Sequence, residues 1–178
     1  ISHKIPEIGT ELPETKAYVI KKLQELGLKP KECRKDSGII CDIGDTNSKN
    51  IVAIRADMDA LPICEETGFD YASKNGNMHA CGHDGHVAIG LGTAEKLLTR
   101  KDELCGKIKF FFQLAEESFY GAQSIVDKGH LDDATNFIAL HIGLSADSKP
   151  LPSHTIACRC RDFVSDRQLD VYFKGNPF

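Results

Sequence analysis

Asn50-Ile51-Val52-Ala53-Ile54-Arg55 is a short β-branched run, and two acidic residues, Asp57 and Asp59, follow it directly. A run that stays apolar, instead of alternating with polar residues, is what a strand covered on both faces of a sheet requires. Two further runs of the same kind lie downstream: Lys107–Leu114 (K-I-K-F-F-F-Q-L) and Phe137-Ile138-Ala139-Leu140. Each is also followed by polar residues of catalytic type, Glu116-Glu117 after the second and His141 after the third.

Between and around these runs the spacing predicts helices. Ala17, Ile20, Leu23 and Leu26 recur every three to four residues in Pro13–Leu26, and Gly27 ends that stretch. Val87, Leu91, Ala94 and Leu98 repeat the pattern in Gly85–Leu98, and Ala122–Asp127 forms a short helix closed by Lys128-Gly129. Gly38–Ile43 reads as a strand, and the polar turn Gly44–Asn50 predicts a hairpin into Asn50–Arg55. Thr155–Cys160 and Leu169–Phe173 read as the last strands. Strands alternating with helices define an α/β fold with a largely parallel central sheet flanked by helices.

Composition fits one domain over residues 1–178, with 41% hydrophobic and 27% charged residues and a net charge of -4. No apolar run reaches the roughly 18 residues of a membrane span, so no membrane partner is expected. A pI near 6.0 and the lack of any Lys/Arg block exclude a nucleic-acid binder that works by neutralising phosphates. The seven cysteines, Cys33, Cys41, Cys64, Cys81, Cys105, Cys158 and Cys160, are odd in number and contain no C-x-x-C pair. No signal peptide opens the chain. Together these features point to a reducing, cytoplasmic setting and away from a disulfide framework or a thiol-redox protein. Both ends read as cut points.

In a parallel α/β sheet, ligand sites lie in the crevice at the carboxyl ends of the strands. Asp57 and Asp59, the loop His79-Ala80-Cys81-Gly82-His83-Asp84-Gly85-His86 at a helix start, Glu116-Glu117 and His141 would all reach that crevice. Thiolate, imidazole and carboxylate together are the donor set of divalent metals: zinc above all, with nickel, cobalt and manganese taking subsets. Gly82 lets the backbone bend between Cys81 and His83. Neighbouring Glu116 and Glu117 are expected to point in different directions, so that one can bind metal while the other moves a proton. His79 and His86 are open to either a metal or a loop role, and Asp84 to capping the helix.

Ile54–Ile63 (I-R-A-D-M-D-A-L-P-I), His79–His86, Phe112–Glu117 (F-Q-L-A-E-E) and Leu140–Gly143 (L-H-I-G) resemble, in order, the motifs of the metal-dependent amidohydrolases. The branch is that of the hippurate, N-acyl-amino-acid and indole-acetyl-amino-acid hydrolases in the aminoacylase/carboxypeptidase superfamily. His3-Lys4-Ile5-Pro6-Glu7 resembles the same family's N-terminal signature. The resemblance implies a zinc-exopeptidase-like catalytic domain and two divalent metal ions (Zn, Mn, Ni or Co) held by Cys81, His83, Glu117 and His141. It implies Glu116 as general base, with Asp57 and Asp59 orienting the ligands. The implied reaction is hydrolysis of the amide of an N-acyl amino acid or small peptide by a metal-activated water, in a homo-oligomer.

The chain departs from the family at Leu114, where proline is usual, at Ser118-Phe119-Tyr120, and in the polar stretch Leu144–Ser153. Family members are about twice as long. They carry a lid and dimerisation domain after the segment resembling Tyr172–Gly175, and a late histidine completes the metal site. The chain is therefore expected to be the N-terminal portion of a catalytic domain, truncated before the lid. On its own it should be inactive or impaired, and it should self-associate or be disordered near Ser165–Phe178. The alternative function is a non-catalytic metal-binding or interaction domain.

Overall fold

A computed structural model of the chain describes residues 1–33, 38–143, 145–146 and 149–150. It divides into two compact units, Ile1–Ile142 and Gly143–Phe178. The first holds strands β1 (Lys31–Glu32), β2 (Ile39–Gly44), β3 (Ile51–Asp57), β4 (Lys107–Gln113) and β5 (Asn136–Ala139), and helices α1 (Pro13–Glu25), α2 (His83–Leu98) and α3 (Gly121–Asp127). In the second, β6 (Ser145–Ala146) pairs antiparallel with β7 (Lys149–Pro150). The strands expected at Thr155–Cys160 and Leu169–Phe173, and the end at Ser165–Phe178, lie outside the described residues.

The five strands of the first unit are ordered β1-β2-β4-β3-β5. β4, β3 and β5 run parallel, whereas β1 with β2 and β2 with β4 are antiparallel. The sheet is thus mixed, and the expected parallel arrangement holds in the half that carries the candidate site. The expected hairpin between β2 and β3 does not form. β4 lies between them, pairing Cys41 with Phe110 on one side and Ile54 with Phe110 on the other. The polar turn 44–50 is a local signal, and the long-range pairing of the phenylalanine run overrides it.

Phe110, Phe111 and Phe112 explain why β4 is central. Successive strand side chains alternate faces. Phe110 and Phe112 enter the core shared with α1 and α2, where Leu12, Val19, Leu23, Val87 and Ala94 are buried. Phe111 packs on the opposite face with Ala53 and Ile125 of α3. Burying each ring contributes about 1.5–3 kcal/mol. α2 approaches the sheet closely at Gly90, where an added Cβ would lie 3.1 Å from the Phe112 ring and 3.2 Å from Ala56.

Two details differ from the spacing-based reading. The buried stripe of α1 is Thr15, Val19 and Leu23, with Ala17 exposed. The Glu7 carboxylate sets this phase, accepting the Glu14 and Thr15 backbone N–H groups at 3.2 and 2.8 Å and so satisfying donors that a helix start leaves free. β5 is not a core strand: all four of its residues are exposed, and Phe137 and Ile138 are 53% and 51% accessible. Its sequence is apolar, but it lies at the sheet edge and is covered on neither face by the described residues.

Candidate metal centre

Because β3, β4 and β5 are parallel, their carboxyl ends share one edge. Asp57 ends β3 and Asp59 lies just beyond it, Glu116 and Glu117 follow β4, and His141 follows β5. Cys81 and His83 reach the same edge from the start of α2. Gly82 stands between them with φ +86°, a left-handed conformation that glycine adopts without steric cost. Asp84 does not cap the helix with its side chain. Its carboxylate instead meets His3 Nδ1 at 2.8 Å, while His3 Nε2 meets Glu65 at 3.0 Å.

The donors converge on His83, which is fully buried. Ligand atoms of Cys81, His83 and His141 lie within 4.8 Å of one another, as do those of His83, Glu116 and Glu117. Cys81 Sγ is 3.3 Å from His141 Nε2. His83 Nε2 is 3.8 Å from both Glu117 Oε1 and Glu116 Oε2. Asp59 links two of these groups, because its carboxylate accepts the Glu117 backbone N–H at 2.9 Å and its backbone carbonyl accepts from His83 Nδ1 at 2.8 Å. Asp57 ion-pairs with Arg55 at 2.8 Å and accepts a hydrogen bond from His86 Nδ1.

The electrostatics are those of a site short of positive charge. Asp57 and Asp59 are buried, and together with Glu116 and Glu117 they crowd the His83 and His86 imidazoles and the Arg55 guanidinium. Burial and the Glu117 carboxylate push the Cys81 thiol up to about 12. Burial alone would lower the His83 pKa, but the surrounding Asp59 and Asp57 carboxylates raise it. Burial also works to raise the Asp57 pKa, and the His86 hydrogen bond and Arg55 outweigh it and lower the value.

His83 Nε2 and Glu117 Oε1 are both buried without a hydrogen-bond partner among the described residues. Unpaired buried polar atoms cost about 1–3 kcal/mol each. Two of them facing each other across 3.8 Å fit a single cation at ordinary ligand lengths of about 2.0–2.2 Å. The residues present therefore fit a divalent metal.

Three residues were not assigned a role from the sequence. Arg55 donates through Nε to Gln113 Oε1 at 2.7 Å and also faces Glu116 at 3.7 Å. His86, left open between a metal and a loop role, uses both ring nitrogens in hydrogen bonds. Ala115 is buried at φ 52° and turns the chain so that both glutamates face the crevice. The spacing of His86 from His83, three residues along one helix, was the readable signal for a shared face. His79 is buried with neither ring nitrogen bonded among the described residues, and burial lowers its pKa.

A mixed α/β sheet with acid, thiol and imidazole donors at one strand edge defines a metallohydrolase-type catalytic fold. The chain belongs to peptidase family M20/M25/M40, whose family model matches residues 53–160. It is 44% identical over 140 residues to an N-acetyl-L-cysteine deacetylase of Bacillus subtilis (strain 168), covering 78% of this chain and 34% of that protein. It is 45% identical over 143 residues to an N-acyl-L-amino acid amidohydrolase of Geobacillus stearothermophilus, covering 79% and 38%. A crystal structure of a Bacillus subtilis dinuclear metal binding peptidase from the M20 family superposes with a TM-score of 0.75 at 37% identity, covering 80% of this chain and 40% of that one. The chain spans about a third of the length of the curated relatives it matches.

Proposed function

We propose that Cys81, His83, Glu117 and His141 hold two divalent ions, of zinc, manganese, nickel or cobalt, and that Glu116 is the general base in hydrolysis of the amide bond of an N-acyl amino acid or small peptide. The observation that carries this reading is the pair of buried, unbonded atoms His83 Nε2 and Glu117 Oε1, with Cys81 and His141 converging beside them. When bound, such ions polarise the scissile carbonyl and acidify the attacking water. The chain's own residues do the rest. Glu116 is half-buried, so it can take a proton from water and return it to the departing amine. Arg55, 3.7 Å away, offers that carboxylate a counter-charge. Asp59 fixes His83 and the Glu117 backbone, and Asp57 fixes His86.

In the same reading the chain is the N-terminal part of a longer catalytic domain, supported by the share of its relatives that it spans. The isolated 178-residue chain is inactive or impaired, and the protein that carries it is a homo-oligomer. A cytoplasmic setting agrees with five free thiols among the described residues.

The test compares metal content and turnover of N-acetyl amino acids for the protein carrying this chain. Chelation should abolish turnover. Glu116→Gln should lower it by about 10²–10⁴-fold with metal content unchanged, and Cys81→Ser should weaken metal binding. Turnover that survives Glu116→Gln would overturn the proposal. Bound metal with no turnover in the unsubstituted protein would favour a metal-binding domain.

A further inference from the structure

His86 is 2% exposed, and the scheme above gives it a partner, Asp57, but no task of its own. Its two ring nitrogens have opposite roles. The Asp57 carboxylate can only accept, so Nδ1 carries the proton and donates to it. Nε2 then has a free lone pair, and it accepts the backbone N–H of Ile142 at 2.8 Å. Ile142 directly follows His141, and the His86 and His141 rings meet edge to face at 4.6 Å. His86 therefore joins helix α2 to the segment that leaves the exposed edge strand β5.

The side chain of Ile142 rests on the same turn of the helix. A Cβ built at Gly85 would lie 2.3 Å from Ile142 Cδ1, and one at Gly82 would lie 3.6 Å from it. The missing side chain at position 85 leaves the space that Ile142 Cδ1 occupies, and Gly82 stands in ordinary contact beside it. Meanwhile His141 Nδ1 donates to the Ile142 carbonyl at 2.7 Å, which leaves its Nε2 turned toward Cys81. The backbone of Ile142 is thus gripped from both sides, with its N–H on His86 and its C=O on His141.

We infer that the first turn of α2 (Gly82, Gly85 and His86) is a seat that positions His141, and that His86 is a positioning residue held in its donor–acceptor orientation by Asp57. This rests on the proposed reading of His141 as a metal ligand. The cluster Asp57–His83–His86 also has donor atoms within 4.8 Å. It is not a further cation site, because both His86 nitrogens are committed to hydrogen bonds.

Two isosteric substitutions separate the halves of the imidazole. His86→Asn keeps a donor near the Nδ1 position and loses the acceptor for Ile142. His86→Gln keeps an acceptor near the Nε2 position and loses the donor to Asp57. In the metal-free chain, exchange of the Ile142 amide should accelerate roughly tenfold in His86→Asn and stay within about threefold of the original in His86→Gln. Titration with Co²⁺, read by its thiolate charge-transfer band, should show about 10–100-fold weaker binding in His86→Asn and near-complete rescue in His86→Gln.

Gly85→Val covers the case in which substitution at His86 unfolds the chain. Valine has a higher helix propensity than glycine, so the helix should hold while Ile142 is displaced and Co²⁺ affinity drops by a similar factor. Equal behaviour of Asn and Gln at position 86, or an Ile142 amide that exchanges freely in the unsubstituted chain, would overturn the inference. If the unsubstituted chain binds no cobalt, the amide-exchange comparison decides whether the seat exists, and the same Co²⁺ titration on the longer protein that carries this chain decides the ligand reading of His141.

Discussion

His83 donates from Nδ1 to the backbone carbonyl of Asp59 at 2.8 Å. A carbonyl cannot donate, so this contact sets the tautomer and leaves Nε2 as the lone-pair face toward Glu117. The Asp59 carboxylate at the same time holds the Glu117 backbone N–H. One residue thereby orients two candidate ligands that are 34 positions apart in the chain.

Asp59→Ala should therefore weaken metal binding by about 10–100-fold. It should also destabilise the chain by about 1–3 kcal/mol, because the Glu117 N–H loses its acceptor. Asp59→Asn, which keeps an accepting oxygen, should retain most of both. Metal titration and denaturant unfolding of the two variants check this, and equal losses would count against the orienting role.

Ala115 holds a left-handed φ of 52° without being glycine, and it is fully buried. That conformation costs an ordinary residue roughly 1–2 kcal/mol. Ala115→Gly should be close to neutral, since relief of strain offsets the greater freedom of the unfolded chain. Ala115→Val should destabilise by more than about 2 kcal/mol, because a branched side chain fits neither the dihedral nor the space. Equilibrium unfolding separates the two.

The His3 contact with Glu65 and Asp84 predicts a stability plateau at mildly acidic pH. Burial would lower the His3 pKa, but the two carboxylates raise it above its ordinary 6.5. Its contribution is therefore complete below pH 6.5 and is lost as pH rises through the raised value. Glu65 is lowered to about 2 by hydrogen bonds from Thr67 and the Ser73 backbone and by His3. Its contribution is present above its ordinary 4.5 and is lost as pH falls toward 2. Unfolding measured from pH 3 to 9 should show the difference between the original chain and His3→Gln to be largest between about pH 4.5 and 6.5. A pH-independent difference would refute the charge pairing.

Phe111→Ala should cost about 3–5 kcal/mol, as for large-to-small changes at well-packed aromatic sites. This ring packs on that sheet face with Ala53 and Ile125, flanked by Ile40, Leu131 and Ala134. Thermal or chemical unfolding checks the size of the loss.

The convergence of the candidate residues on one edge was legible because Asp57, Glu116 and His141 stand at or after the ends of apolar runs, and the ends of parallel strands meet by geometry. Asp57, Glu116 and His141 needed only their places after β3, β4 and β5, and Cys81-Gly82-His83 needed only its place before α2. The strand order was not legible. Nothing in turn 44–50 reports that β4, some sixty residues on, pairs with both β2 and β3. Apolarity also misled at β5, since Phe137 and Ile138 read as core but are exposed. The role of His86 depends on an acceptor–donor match with the Ile142 backbone, and residue types do not encode which main-chain group a ring will meet.

The close contact of α2 with the sheet at Gly90 makes that glycine a fulcrum. Seven residues upstream on the same helix stands His83, so a methyl at position 90, crowding Phe112 and Ala56, is expected to press on the element that carries the imidazole. On the proposed reading of His83 as a ligand, a change at this spot, which touches no candidate ligand, should register as weaker metal binding while every candidate ligand remains in place.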